Sequence, residues 1–200
     1  CFTTVSEITA VEAKNFLGRP PDVITTNGLD MEHIPDLAQD RAPALRAREK
    51  LLAAASRFLR KNISPTTKIM VISGRYEFHN KGIDVFLNAL GRLEREATAN
   101  EPVLALLLVL GGHTDLIPLL QNDPMKPDQG NAPIATHRLH YEASDPILQT
   151  CNRLGLNNAV QNRVNVIFIP AYLSGHDGLL DMTYYEALSG CDLAVFPSYY

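Results

Sequence analysis

The chain has 200 residues, 46% of them hydrophobic, and a formal net charge of −4. That length suits one large or two small domains, and that apolar content suits a globular core. The charge balance and the lack of a basic stripe argue against a nucleic-acid binder held by bulk electrostatics, and no apolar run reaches membrane-spanning length.

Ser6 is placed to N-cap a helix running to about Leu17, with Glu7 in its first turn and Ile8, Val11 and Phe16 as its apolar face. Gly18 and Pro20-Pro21 stop it. Asp22 to Thr26 reads as a short strand ended by the turn dipeptide Asn27-Gly28, and 31–41 as a connection. The spacing of Leu45, Leu51, Leu52, Ala55, Phe58 and Leu59 predicts a long helix over Pro43 to Arg60, with Pro43 in its first turn.

Strand and helix patterns then alternate. Lys68 to Ser73 is a predicted strand, and about Ile83 to Ala97 a helix. Val103 to Leu110 is apolar throughout, as expected of a central parallel strand covered on both faces. Thr114 to Leu120 reads as a short helix capped by Thr114, and Asn122 to Pro133 as a loop. Pro146 to Leu154 is a predicted helix between an Asp145 cap and Gly155. Val164 to Ile169 is a strand, Asp181 to Leu188 a helix capped by Asp181 and ending at Gly190, and Leu193 to Phe196 a strand. This alternation predicts an α/β fold with a doubly wound, parallel, Rossmann-like sheet.

Such sheets bind ligands beyond the carboxyl ends of their strands. The expected ends are Gly74-Arg75, Gly111-Gly112-His113, Pro170-Ala171-Tyr172 and Pro197-Ser198-Tyr199-Tyr200. The first carries the strongest chemical signal. Arg75 and Lys81 sit in one turn between a buried strand and a helix start. A helix start offers unpaired N–H groups and partial positive charge. Arg adds a fork of donors and Lys a mobile point charge, so the turn is a candidate phosphate site. A pair of solvated loop cations is the simpler alternative.

Four blocks resemble one known family. They are Phe2-Thr3-Thr4-Val5-Ser6-Glu7-Ile8-Thr9-Ala10; Pro21-Asp22 leading to Asn27-Gly28-Leu29; Gly74-Arg75-Tyr76-Glu77-Phe78 with Asn80-Lys81-Gly82; and Gly190-Cys191-Asp192-Leu193-Ala194-Val195-Phe196-Pro197-Ser198-Tyr199-Tyr200. In this order they resemble the glycogen synthases of fungal and animal type. The resemblance implies a retaining glycosyltransferase of the GT-B fold, two facing Rossmann-like domains with the sugar-nucleotide donor mainly on the second. Residues 1–30 then match the last helix-strand unit and linker of the first domain, and 31–200 a truncated second domain. The implied strand order places Leu193 to Phe196 beside the strand at Ile69.

The resemblance assigns the donor diphosphate to Arg75 and Lys81, with Gly74 beside them. It assigns the nucleobase to Tyr184, with Tyr172 among the residues flanking the base. From the residues alone, Tyr184 reads equally as a half-buried tyrosine of an amphipathic helix. The implied donor is UDP-glucose, ahead of ADP-glucose, and the acceptor is glycogen or another α-1,4-glucan. No cofactor or metal is implied, and no nucleic-acid or membrane partner. A catalytic glutamate expected directly after the Tyr199-Tyr200 pair lies outside the sequence. The chain opens in mid-pattern at Cys1 and stops after a strand, so it is expected to be a piece of a longer protein, inactive alone. An open sheet edge beyond the last strand is expected to favour homo-oligomers.

Other residues carry weaker signals. Cys1, Cys151 and Cys191 lack disulfide-framework and zinc spacing and read as buried, reduced thiols of a cytoplasmic protein. His79 reads as a loop-surface residue. Gly111 and Gly112 allow close ligand approach beside His113, or simply make a turn. His137 and His140 lack a third metal ligand of plausible spacing. Glu77 is expected to pair with Lys81. Asp177 reads as a turn residue. A non-catalytic nucleotide-binding or scaffold module of the same fold is the alternative function. No Gly-x-Gly-x-x-Gly follows a strand, which disfavours a dinucleotide-dependent oxidoreductase.

Overall fold

The structure, a computed structural model, describes residues 1–96, 101–117 and 131–199. The chain divides into two compact units, Cys1–Ile34 and Pro35–Tyr200.

In the first unit, β1 (Thr3–Thr4) and β2 (Val23–Ile24) pair in parallel around α1 (Glu7–Leu17). Ser6 caps α1 through a reciprocal hydrogen-bond pair with Thr9, and Gly18 ends it in the left-handed conformation. The strand is shorter than the predicted Asp22 to Thr26. The expected apolar face does not form a core here: α1 has no buried residue, and Ile8 and Phe16 are exposed.

The second unit is built on a four-stranded parallel sheet, β7-β4-β3-β8. Its strands are β3 (Lys68–Arg75), β4 (Val103–Leu110), β7 (Val164–Ile169) and β8 (Leu193–Ala194). Ile69 pairs with Leu104 and Leu104 with Asn165, so the strands run in step; Met70 pairs with Leu193 on the other side. The order agrees with the expected place of the last strand beside β3. Two features extend or shorten the prediction. β3 continues through Gly74 and Arg75, and β8 stops at Ala194.

β4 explains the layering. Every residue from Val103 to Val109 is buried. Leu104, Leu106 and Leu108 face one core, with Ile69 and Val71 of β3, Ile167 and Ile169 of β7, and Leu51, Ala55 and Phe58 of α2 (Ala42–Leu59). Ala105, Leu107 and Val109 face the other, with Val166 and Phe168 of β7, Phe86, Leu87 and Leu90 of α3 (Ile83–Arg95), and Ile147 and Cys151 of α4 (Pro146–Leu154). Side chains alternate across a strand, so an all-apolar strand demands cover on both sides. α2 and α5 (Tyr184–Ser189) pack together on the first face; α3 and α4 pack together on the second.

Two predicted helices need correction. The expected helix over Thr114 to Leu120 is instead a strand, β5 (His113–Leu116), antiparallel to β6 (His137–Leu139). Backbone bonds from His140 to Gly112 and from Ile117 to Thr136 draw this segment into a ladder, which Thr114 as a cap cannot outweigh. Residues 118–120 of that helix, and 122–130 of the expected loop, lie outside the described residues. The helix after β7 starts at Tyr184, not Asp181. Thr183 and Glu186 form its capping box, while Asp181 takes a positive φ of 49° and accepts from the Gly178 N–H. The α4 helix is as predicted, with Asp145 accepting from the Leu148 N–H and Gly155 closing it.

Asp192 ties the sheet to α2. Its Oδ2 accepts from the Ile69 N–H at 2.7 Å and from the Arg48 guanidinium at 2.7 Å. Arg48 also donates to the Thr67 carbonyl at 2.6 Å. Partial burial alone would raise the Asp192 pKa, but the bonds from Ile69 and Arg48 outweigh it and hold the carboxyl below its ordinary value. A depressed folded pKa means stability that is present above the ordinary aspartate pKa, about 3.9, and lost as pH falls through the folded value. Asp192→Asn should therefore flatten the acid limb of the stability profile below about pH 4. Urea titrations at stepped pH measure this, and an acid limb as steep as in the native chain would contradict it.

Gly190 lies where α5 ends against α2. A Cβ there would stand 2.7 Å from the Arg48 backbone nitrogen and 2.9 Å from the Ala47 carbonyl carbon. Both neighbours are backbone, so neither can rotate away. Gly190→Ala should cost about 1–3 kcal/mol, the scale of overpacking a closed contact. Equilibrium urea unfolding of the 200-residue chain checks it.

Candidate functional site

A cleft of about 400 Å³ opens beyond the carboxyl ends of β3, β4 and β7. It is lined by Ser73, Gly74 and Arg75 from β3, Leu108 and Leu110 from β4, Ala171, Tyr172 and Leu173 after β7, and Tyr184 from α5. The volume lies in the range of small-molecule sites, roughly 300–1,000 Å³. Parallel α/β sheets place ligand crevices beyond the carboxyl ends of their strands, and this cleft lies there. Successive crossovers carry the chain from β3 through β4 to β7, and α5 then returns it to β8 on the other side of β3. That reversal falls between β3 and β8, and no β8 residue lines the cleft.

Of the residues expected to act together, the cleft gathers Gly74, Arg75, Tyr172 and Tyr184; Lys81 lies outside its lining. Lys81 is half-buried, directly before Gly82, the left-handed N-cap of α3. A Cβ at Gly82 would also run into the Pro197 carbonyl oxygen. Tyr199 donates its backbone N–H to the Asn80 carbonyl at 2.9 Å. The Lys81 loop is thus packed against the segment that follows β8.

Gly74 has φ 141° and open space where a Cβ would be. Backbone conformation, not crowding, accounts for glycine there. Arg75 follows with a side chain 74% exposed, held at 3.0 Å by Glu77. The expected partner of Glu77 was Lys81. The turn instead brings the Glu77 N–H to the Arg75 carbonyl at 2.7 Å, which places residues 75 and 77 side by side. His79 lies on the surface as expected, its Nδ1 2.8 Å from Asp84 Oδ2.

The two tyrosines differ. Tyr172 is 78% exposed, whereas Tyr184 is half-buried and packs against the α2-side core. The Tyr184 hydroxyl lies 2.7 Å from Ser73 Oγ. That bond fixes the ring between β3 and α5, with Tyr185 edge-on at a centroid distance of 5.2 Å. Ser73 escaped the sequence reading because a serine near a strand end has no local signature; only the approach of α5 gives it a partner.

His113 is not part of the lining. Its Nδ1 lies 2.8 Å from the Gly111 carbonyl, and its ring meets His137 edge-on at 4.8 Å. Burial first, then the neighbouring His113, lowers the His137 pKa, with Asp177 opposing. Gly111 and Gly112 allow a turn in which His140 packs over Gly112. Among the described residues no group of three His, Cys, Asp or Glu side chains is disposed to hold a metal ion. Asp177 accepts from the Leu179 and Leu180 N–H groups, as a turn residue does. Of the three cysteines expected to be buried, Cys151 is buried and Cys191 half-buried, but Cys1 is exposed. Burial pushes the Cys151 and Cys191 thiols up to about 12, so neither presents a thiolate near neutrality.

A doubly wound sheet whose strand-end cleft is lined by a cation, a glycine at positive φ and two tyrosines defines a Rossmann-like α/β domain. The family model for glycogen synthase matches residues 1–117 and 121–200. Among relatives, the liver glycogen [starch] synthase of Mus musculus is 33% identical over 259 aligned residues, covering 100% of this chain and 36% of that protein. The Homo sapiens liver enzyme is 32% identical with the same coverage, and the Caenorhabditis elegans glycogen [starch] synthase 30% identical, covering 100% of this chain and 38% of its own length. The chain belongs to the glycogen synthase family. It spans little more than a third of the length of these relatives.

If the Ser73–Tyr184 bond fixes the ring, its two ends are energetically one unit. Ser73→Ala and Tyr184→Phe should each cost about 0.5–1.5 kcal/mol of stability, and the double variant little more than either alone. Urea unfolding of the four chains tests this; fully additive losses would show that the two hydroxyls act independently.

Proposed function

We propose that this chain is the donor-binding part of a glycogen-synthase-like retaining glucosyltransferase. The whole enzyme transfers glucose from UDP-glucose, with ADP-glucose the second candidate, to the non-reducing end of an α-1,4-glucan such as glycogen. The observation that carries the reading is the cleft over the carboxyl ends of β3, β4 and β7, where Arg75 shares a largely apolar lining with two tyrosine rings. Residues 1–30 supply the last helix-strand unit and linker of the first GT-B domain, and 31–200 most of the second. The enzyme works in the cytoplasm, without a cofactor, metal, nucleic acid or membrane partner.

In this reading Arg75, from the cleft lining, and Lys81, from the adjoining loop outside it, hold the donor diphosphate between them. Negative charge grows on that leaving group as the glucosyl bond breaks, so cations already in place lower the barrier. Glu77 holds the exposed Arg75 side chain until the diphosphate replaces it. Gly74, without a Cβ, lets phosphate oxygens approach the backbone. The nucleobase stacks on Tyr184 against the apolar lining, with Tyr172 at its edge. The catalytic carboxylate belongs to a part of the protein beyond Tyr200.

Arg75→Ala in the full-length enzyme should lower turnover about 100-fold, the scale of losing one positioned charge stabiliser. Transfer of radiolabelled glucose to glycogen measures it, and wild-type turnover would end the assignment. The 200-residue chain alone should bind UDP no better than roughly 100 µM, and more weakly as salt is added, because water screens exposed charges in an uncovered cleft. Calorimetry with UDP and ADP in parallel reports both the affinity and the preferred base. Absence of binding at millimolar UDP would favour the scaffold function.

A further inference from the structure

Arg75 is solvent-exposed, yet the turn that carries it is anchored from below. The chain reverses at Tyr76, where the Glu77 N–H bonds to the Arg75 carbonyl across a three-residue turn. Arg75 lines the cleft. Tyr76 is half-buried and packs with the opposite, α3–α4 core. Its ring meets Phe168 edge-on, centroids 5.9 Å apart at 78°, and lies against Gly111, where a Cβ would stand 3.4 Å from the ring. Its hydroxyl donates to Asp145 Oδ2 at 2.6 Å and accepts from the Ile147 N–H at 3.4 Å.

Asp145 is 8% exposed and uses both oxygens. Oδ1 caps α4 through the Leu148 N–H at 3.0 Å, and Oδ2 receives Tyr76. A buried carboxylate without such partners is costly, so each bond supports the other. Burial first, then Asp145, pushes the Tyr76 pKa well above its ordinary value, so the hydroxyl keeps its proton and remains the donor. The bond joins the cation turn at the end of β3 to the start of a helix 69 residues further along the chain.

We propose that Tyr76 and Asp145 are positioning residues for the phosphate-binding cation: the hydrogen bond between them locks the turn that aims Arg75 into the cleft. Tyr76 acts through Arg75 and touches no substrate. The inference rests on the reading of the cleft as the donor diphosphate site. Packing of the ring on Phe168 sets the depth of residue 76. The hydroxyl bond holds the ring in place, and the Glu77 N–H bond to the Arg75 carbonyl closes the turn around Tyr76, so the seating of residue 76 restricts where Arg75 can lie.

The test is a double-mutant cycle in the full-length enzyme with Y76F, R75A and the pair, read as kcat and KM for UDP-glucose and as UDP affinity by calorimetry. Phe keeps the ring and removes the hydroxyl. Y76F should lower kcat/KM for the donor roughly tenfold when Arg75 is present, the scale of losing a hydrogen bond to a charged group. In the R75A background it should cost less than about twofold, because the group being aimed is gone. UDP affinity should follow the same pattern. A purely structural hydroxyl would cost the same in both backgrounds; that result, or no loss at all from Y76F, overturns the proposal. Should Y76F not fold, D145N supports the same cycle: Asn retains a cap oxygen but turns an N–H toward the Tyr76 hydroxyl, and a few-fold loss confined to the Arg75 background is expected. If R75A itself leaves donor kinetics unchanged, the donor-site reading falls, whereas a large R75A effect with additive Y76F removes only the positioning role.

Discussion

Everything in the larger unit depends on burying β4 on both faces. The strand offers no polar side to water between Val103 and Val109. Each face therefore needs helices, and helices joining parallel strands must cross over the sheet. α3 and α4 cover one face and α2 and α5 the other. Once both faces are filled, the open places left are the strand ends. The cleft lies over the carboxyl ends of β3, β4 and β7, where parallel α/β sheets place their ligands.

The cleft is held by bonds between elements distant in sequence. Ser73 on β3 meets Tyr184 on α5; Tyr76 after β3 meets Asp145 at the start of α4. Asn80 and Gly82 meet the segment after β8. The loop after β3 is thus gripped from three sides, while Arg75 itself stays in solvent. Rigid supports with one exposed charge are a reasonable arrangement for a group that must meet an anion without reorganising. The Arg75–Glu77 pair adds little stability at such exposure. Its consequence is to restrict where the guanidinium rests.

Capping chemistry was the part of the fold most legible from residues. Ser6, Asp145 and Gly155 act where the sequence places them, because a cap bond spans only three residues and needs no tertiary partner. The same logic misled at Asp181. The cap is instead Thr183, two residues further on, because its reciprocal bonds with Glu186 satisfy the helix start. It misled again at Thr114, whose segment joins a ladder with residues 137–139 that no local pattern announces. The strand at Lys68 was legible as far as Ser73; that it continues through Gly74 and Arg75 depends on pairing with Val109 and Leu110.

For the site, the sequence alone determined the kinds of group and their order: a glycine, an arginine and a lysine after the first strand of the sheet, and tyrosines after the later ones. Those are consequences of covalent order and of strand–helix alternation. Only the tertiary structure decided which of them share a cleft. It brings Gly74, Arg75, Tyr172 and Tyr184 to one lining, leaves Lys81 outside it, and turns Glu77 to Arg75. It also supplies Ser73 and Asp145 with partners more than sixty residues away. The physical reason is that a side chain's partner across a sheet depends on strand order and on the direction of each turn, and both are settled by burying a common core rather than by any short run of residues.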